Sequence, residues 1–158
     1  MVTAKIKNIL QKTGILLDYK PSNKRAALQE MGNFITKLYN LKPREFIVQK
    51  ILDREAEMST GIGYGIAIPH ARIPGIEKLY MIVSRVSESI EFEAIDEKPV
   101  YLIFLLISPA NTSTDHTRIL SSLSRIVSYE EVRKELLKAE DAQEFLDVLI
   151  QGEDKYVK

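Results

Sequence analysis

Residues 100–107 read "VYLIFLLI", the longest uninterrupted apolar run in the chain. It contains no polar alternation, so no side of it can face water as a strand. A strand buried on both faces belongs at the centre of a sheet covered by two layers of helices. At eight residues it is far short of the roughly 20 that cross a bilayer. The neighbouring segments agree with this reading. Ile66–Ile68, Tyr80–Val86 and Ile90–Ala94 are short, partly β-branched and bounded by Gly, Pro, Ser or Asp, as expected of strands. Of these, "IEFEA" at 90–94 alternates like an edge strand, and Ile15–Leu17 supplies a further candidate near the N-terminus.

Helical spacing flanks the strands. Leu28, Met31, Ile35 and Leu38 recur every three or four residues, predicting an amphipathic helix capped by Ser22. A second helix is expected from Lys42-Pro43 to about Arg54-Glu55, with Phe46, Ile47, Ile51 and Leu52 on one side. From His116 onward, Ile119, Leu120, Leu123 and Ile126 share one face. Two shorter helices should follow, opened by Ser128 with Glu131 and by Asp141 with Glu144. Helices at both ends with strands between them predict an α/β fold, a mixed β-sheet flanked by helices on both faces. No repeat, linker or low-complexity tract divides the chain, so residues 1–158 are expected to form a single domain.

Composition excludes several functions. Lys and Arg total 22 and Asp and Glu total 22, so no global charge favours nucleic acid or an anionic membrane. The N-terminal "MVTAKIKNILQKTG" interrupts its apolar residues with lysines and does not resemble a secretory signal. With no cysteine and no disulfide framework, a cytoplasmic location is the simplest expectation.

Proton or group transfer near neutral pH has few places to occur, because the chain holds only two histidines. His70 ends the unusual stretch "STGIGYGIAIPHAR" at 59–72. An imidazole with a pKa of about 6.5 is a competent neutral nucleophile. Ser59 and Thr60 offer hydroxyls, the glycines let backbone N–H groups approach a ligand, and Arg72 adds fixed positive charge, which together suit a phosphoryl group. The alternative is a satisfied structural histidine after an ordinary turn, with Arg54 only capping its helix. The glycines match neither a dinucleotide fingerprint nor a P-loop. His116, at a helix start after "NTSTD", could remain neutral beside an anion. No compact His/carboxylate spacing suggests a metal.

The stretches "REAEMSTGIGYGIAIPHAR", "IEFEAIDEKPVYLIFLLISPA" and "DHTRILSSLSRI" resemble the enzyme IIA domain of the phosphoenolpyruvate-dependent phosphotransferase system, in its fructose, mannitol and nitrogen-regulatory class. The resemblance runs from "ILLDYKPSNKRAAL" to "AEDAQEFLDVL". It implies that His70 accepts a phosphoryl group from a histidine-phosphorylated carrier protein (HPr or its nitrogen-branch counterpart), with no metal or other cofactor. It also implies that Arg54 and His116 are the family's active-site arginine and second histidine. Arg72, Thr60 and Ser59 are added as phosphoryl-binding candidates. Two destinations follow from the resemblance: an enzyme IIB domain in sugar uptake, or a regulated target protein whose binding depends on phosphorylation. A binding module that is never phosphorylated is the third reading. An apolar rim including Ile62 and Tyr64 is expected around the site to receive successive partners. Thr117 departs from the apolar residue expected in many relatives, which bears on how its helix packs.

Overall fold

A computed structural model describes residues 4–111 and 114–157. Thr112 and Ser113 of the "NTSTD" stretch, Met1–Thr3 of the N-terminal stretch and Lys158 lie outside the described residues. The chain runs α1 (Ile6–Ile9), a 3-10 turn (Lys12–Gly14), β1 (Ile15–Tyr19), α2 (Lys24–Leu38), α3 (Arg44–Glu57), β2 (Gly61–Gly63), β3 (Ile66–Ala67), β4 (His70–Ile73), β5 (Tyr80–Ile90), β6 (Val100–Pro109), α4 (Thr114–Val127), α5 (Glu130–Lys138) and α6 (Ala142–Tyr156).

The sheet order is β1-β5-β6-β3-β2, with β4 also pairing β6. Strand β6 is antiparallel to β5 and parallel to both β3 and β4, so the sheet is mixed. Its side chains alternate between two cores. Leu102, Phe104 and Leu106 pack with α1, α4, α5 and α6, while Ile103, Leu105 and Ile107 pack with α2 and α3. All six are at most 1% exposed, which is why this run carries no polar residue.

Several local expectations are corrected. Ser22 does not cap α2; Asn23 does, accepting from the Ala26 N–H at 2.8 Å. Ser128 does not open α5 either. Its hydroxyl donates to the Arg125 carbonyl at the end of α4, Tyr129 occupies the cap position, and the Glu131 carboxylate accepts from the Tyr156 hydroxyl instead. Asp141 caps α6 as expected, accepting from the Glu144 N–H. Helix α3 runs two residues beyond Glu55, to Glu57.

The "IEFEA" segment is no strand beyond Ile90. Its alternation is real, since Phe92 and Ala94 are buried while Glu91 and Glu93 are exposed. However, Glu93 has φ +57, which breaks an extended ladder. The Phe92 carbonyl accepts from Lys24 Nζ and the Ser59 hydroxyl, so the segment fastens the α3–β2 loop.

Candidate active site

Strands β3 and β4 lie on the same side of β6, at Leu102–Ile103 and Leu106–Pro109. Pro69 sits between them and cannot donate to a ladder, but its carbonyl accepts from the Leu106 N–H at 3.0 Å. The chain therefore re-enters the sheet at His70. Strand alternation then points Ala71 and Ile73 into the core and leaves His70 and Arg72 on the opposite side.

The end of α3 brings Arg54 to this edge. One guanidinium nitrogen donates to the Met58 carbonyl at 3.0 Å, capping the helix, while Nη2 lies 3.4 Å from His70 Nε2. Arg54 thus both caps its helix and reaches the His70 ring. The first turn of α4 brings His116, 4% exposed, with its ring edge-on to that of His70 at a centroid separation of 5.3 Å. His116 Nδ1 lies 2.6 Å from the hydroxyl of Ser108, near the end of β6.

The other ring nitrogen of His70 is committed. Its Nδ1–H donates to the Ile68 carbonyl at 2.8 Å, which leaves Nε2 with the lone pair, facing Arg54. Burial pushes the His70 pKa below the ordinary 6.5; the Ile68 carbonyl opposes the shift and the Arg54 charge adds to it. His116 is pushed down to about 4, mainly by burial, with Arg72, His70 and Arg54 adding to it. Both rings are neutral at pH 7. For His116 the dominant causes are burial and nearby positive charge.

Arg54, His70, Arg72 and His116 line one cleft of about 570 Å³, together with Lys50, Asp53, Glu57 and Thr117. Thr117 is exposed there, so the departure at this position falls on the cleft wall and leaves helix packing untouched. Ser59 and Thr60 do not line the cleft. The Ser59 hydroxyl donates to the Phe92 carbonyl, and the Thr60 hydroxyl donates to the buried Glu55 carboxylate, which also accepts the Thr60 N–H at 2.6 Å.

Nor do the glycines cradle the cleft. Tyr64 and Gly65 both have positive φ and form the β2–β3 turn, where a Cβ on Gly65 would fall 1.9 Å from the Tyr101 ring. Ile62 and Tyr64 accordingly do not rim the site. Tyr64 lies toward the other end of β6, with its ring under Arg133.

Sequence reading missed three contributors. Glu55 is 5% exposed and lies 3.5 Å from Lys24 Nζ. It holds Thr60, whose carbonyl accepts from the Ile68 N–H at 3.0 Å, and the Ile68 carbonyl in turn holds His70. Ser108 was hidden as one small residue closing an apolar run.

Among the described residues no cluster of His, Cys, Asp and Glu could hold a metal ion, and no helix is long and apolar enough to cross a membrane. The paired histidines, the arginine and the open cleft suit reversible capture of a tetrahedral anion at a nucleophilic nitrogen.

Residues 8–152 match the family model for the phosphoenolpyruvate-dependent sugar phosphotransferase system, EIIA 2. A fructose-specific EIIA component of the phosphotransferase system from Haloferax volcanii is 38% identical over 135 residues, covering 85% of this chain and 88% of that protein. A nitrogen regulatory protein from Bradyrhizobium diazoefficiens is 33% identical over 144 residues, covering 91% and 94%. The crystal structure of nitrogen regulatory protein IIA-Ntr from Neisseria meningitidis superposes with a TM-score of 0.86 at 33% identity, covering 91% of this chain and 98% of that one. With a family match over nearly its whole length, the chain belongs to the EIIA 2 family of the phosphoenolpyruvate-dependent sugar phosphotransferase system.

Proposed function

We propose that this protein is a cytoplasmic phosphocarrier in which His70 Nε2 accepts a phosphoryl group from a phosphohistidine of a small carrier protein. The observation that carries this reading is the Nδ1–H of His70 donating to Ile68, which leaves the Nε2 lone pair facing Arg54 across an open cleft.

The donor's nitrogen–phosphorus bond breaks and its imidazole keeps the electron pair. The Nε2 lone pair of His70 forms the new bond while Nδ1 keeps its proton on Ile68. No proton need move, and exchange between two similar imidazoles is close to thermoneutral. The protein's work is alignment and stabilisation of charge on the equatorial oxygens. Arg54 supplies charge, with Arg72 in the same cleft. Ser108 and His116 Nδ1 share a hydrogen bond, and in the proposed arrangement the hydroxyl donates, which leaves His116 Nε2–H to donate to a phosphoryl oxygen. Ser59 and Thr60 act behind the site, fixing the loop that sets Ile68.

For the destination, we infer a regulatory role in which phosphorylation controls binding to a target protein. The likeness to IIA-Ntr over 98% of that chain supports this. A second reading, transfer to an enzyme IIB domain in sugar uptake, is favoured by the 38% identity to a fructose-specific component.

The test is incubation with phosphoenolpyruvate, enzyme I and the histidine carrier, followed by intact mass and acid-lability measurements. An acid-labile phosphoryl group lost in His70→Ala is expected. No phosphoryl group from verified donors would overturn the reading in favour of a binding-only module. Transfer from the loaded protein to a IIB domain, against phosphorylation-dependent capture of a target, separates the two destinations.

A further inference from the structure

Ser108 is fully buried near the end of β6, where the apolar run gives out. Strand β4 pairs with β6 here, setting Arg72 opposite Ser108, and the first turn of α4 brings His116 to the serine hydroxyl. A buried hydroxyl costs stability unless it is hydrogen-bonded. Among the described residues, Ser108 Oγ has one partner, His116 Nδ1 at 2.6 Å.

Two proton arrangements fit that distance. If Nδ1–H donated, the serine hydrogen would be buried with no acceptor among the described residues, and His116 Nε2 would bring a lone pair to the cleft it shares with His70. If the hydroxyl donates, both groups are satisfied and Nε2 carries the ring's hydrogen. The difference matters beside a phosphoryl group, whose oxygens a lone pair repels and an N–H binds. His116 is neutral at pH 7, because burial and the Arg72 charge push its pKa down to about 4. It therefore holds one N–H, and Ser108 decides on which nitrogen.

We propose that Ser108 is a positioning residue for phosphoryl transfer: by donating to Nδ1 it holds His116 in the Nε2–H tautomer before the phosphoryl group arrives, and so sets how fast His70 is loaded. The inference rests on the phosphocarrier reading and extends it from the cleft into the sheet, since Ser108 itself touches no phosphoryl group. The two rings then carry their hydrogens on opposite nitrogens. His70 is held as Nδ1–H by the Ile68 carbonyl and offers a lone pair, while His116 is held as Nε2–H by Ser108 and offers a donor. Without Ser108 the incoming phosphoryl group would have to order the His116 ring at the moment of transfer, a cost that preorganisation removes. A serine that merely filled space would leave the rate unchanged.

The test is nitrogen-15 NMR of both histidines at pH 7.5, beside the single-turnover phosphorylation rate from the histidine carrier, in the wild type and in Ser108→Ala, Ser108→Thr and Ser108→Val. Wild-type His116 is expected as the Nε2–H tautomer, and as a mixture of tautomers in the alanine and valine proteins. Their phosphorylation rates should fall about tenfold, the scale of losing one hydrogen bond. Threonine has the shape of valine but keeps the hydroxyl, so it should restore the single tautomer and most of the rate, while His70 stays Nδ1–H in all four proteins. Alanine adds no atoms to the buried site and decides the matter should the two larger side chains prevent folding. The proposal is overturned if wild-type His116 is the Nδ1–H tautomer, if Ser108→Ala keeps a single Nε2–H tautomer or an unchanged rate, or if folded threonine and valine proteins load equally fast. A wild type that takes up no phosphoryl group from verified donors would overturn the phosphocarrier reading and this inference together, whereas normal loading in both wild type and Ser108→Ala would sink this inference alone.

Discussion

The Ile68 carbonyl oxygen lies 2.8 Å from Nδ1 of His70, two residues further along the chain, and this contact decides which ring nitrogen is free to react. A carbonyl can only accept, so the proton sits on Nδ1 and the lone pair on Nε2. Nitrogen-15 NMR at pH 7.5 should show His70 as the neutral Nδ1–H tautomer, and the phosphorylated protein should carry its phosphate on Nε2. A phosphate on Nδ1 would contradict the assignment.

Because burial holds the His70 pKa below the ordinary 6.5, the neutral ring with its free lone pair predominates at neutral pH. The single-turnover phosphorylation rate should therefore change little between pH 8 and 7 and decline at lower pH than an ordinary histidine would dictate. A rate already falling between pH 8 and 7, with the carrier's own titration accounted for, would show that burial and the arginines do not set this pKa.

Arg54 serves two structures with one side chain, the end of α3 through Met58 and the approach to Nε2. Arg54→Ala should lower the phosphorylation rate by about 100-fold or more, the scale of losing one preorganised charge-stabilising donor. Stability should fall by only about 1 kcal/mol, since a helix-end contact is all that the fold loses. Rapid-quench kinetics beside a urea melt separates the two effects. An undiminished rate would remove Arg54 from the chemistry.

Much of this architecture was legible in the sequence, and the reasons differ by residue. The run 100–107 had no polar position, so it had to be covered twice; His70, Arg54 and His116 fell together through a motif. What was not legible depended on tertiary partners. Glu93 leaves the extended region where alternation alone argued for a strand. Thr60 was read as a ligand hydroxyl because Glu55, five residues earlier, gives no sign in one dimension that α3 turns it back onto the loop. Gly65 looked like part of an anion cradle, whereas its freedom serves the turn and the Tyr101 ring.

Glu55 should matter more than its distance from the cleft suggests. Removing it strips two hydrogen bonds from Thr60 and leaves Lys24, largely buried, to the exposed Glu93 carboxylate 3.5 Å away. Glu55→Ala is expected to cost about 3 kcal/mol, the scale of breaking a buried pair from one side. Because Thr60 holds Ile68, a folded Glu55→Gln protein should also show some of the opposite His70 tautomer. An unchanged nitrogen-15 pattern would confine Glu55 to a structural role.

His116 links the site to the pH dependence of folding. Its pKa is about 4 in the folded protein against 6.5 for the ordinary side chain. Above pH 6.5 the ring is neutral in both states and nothing is lost. Between pH 6.5 and about 4 the unfolded chain binds a proton that the folded ring refuses, so stability declines as pH falls and levels off for this group below about 4. The full difference amounts to at most about 3 kcal/mol. His116→Gln should flatten that part of the stability-versus-pH curve while leaving the carboxylate-driven decline at lower pH. Urea melts of the two proteins from pH 7.5 to 4 measure the difference directly, and superimposable slopes would mean that buried His116 accepts a proton as readily as a solvated histidine does.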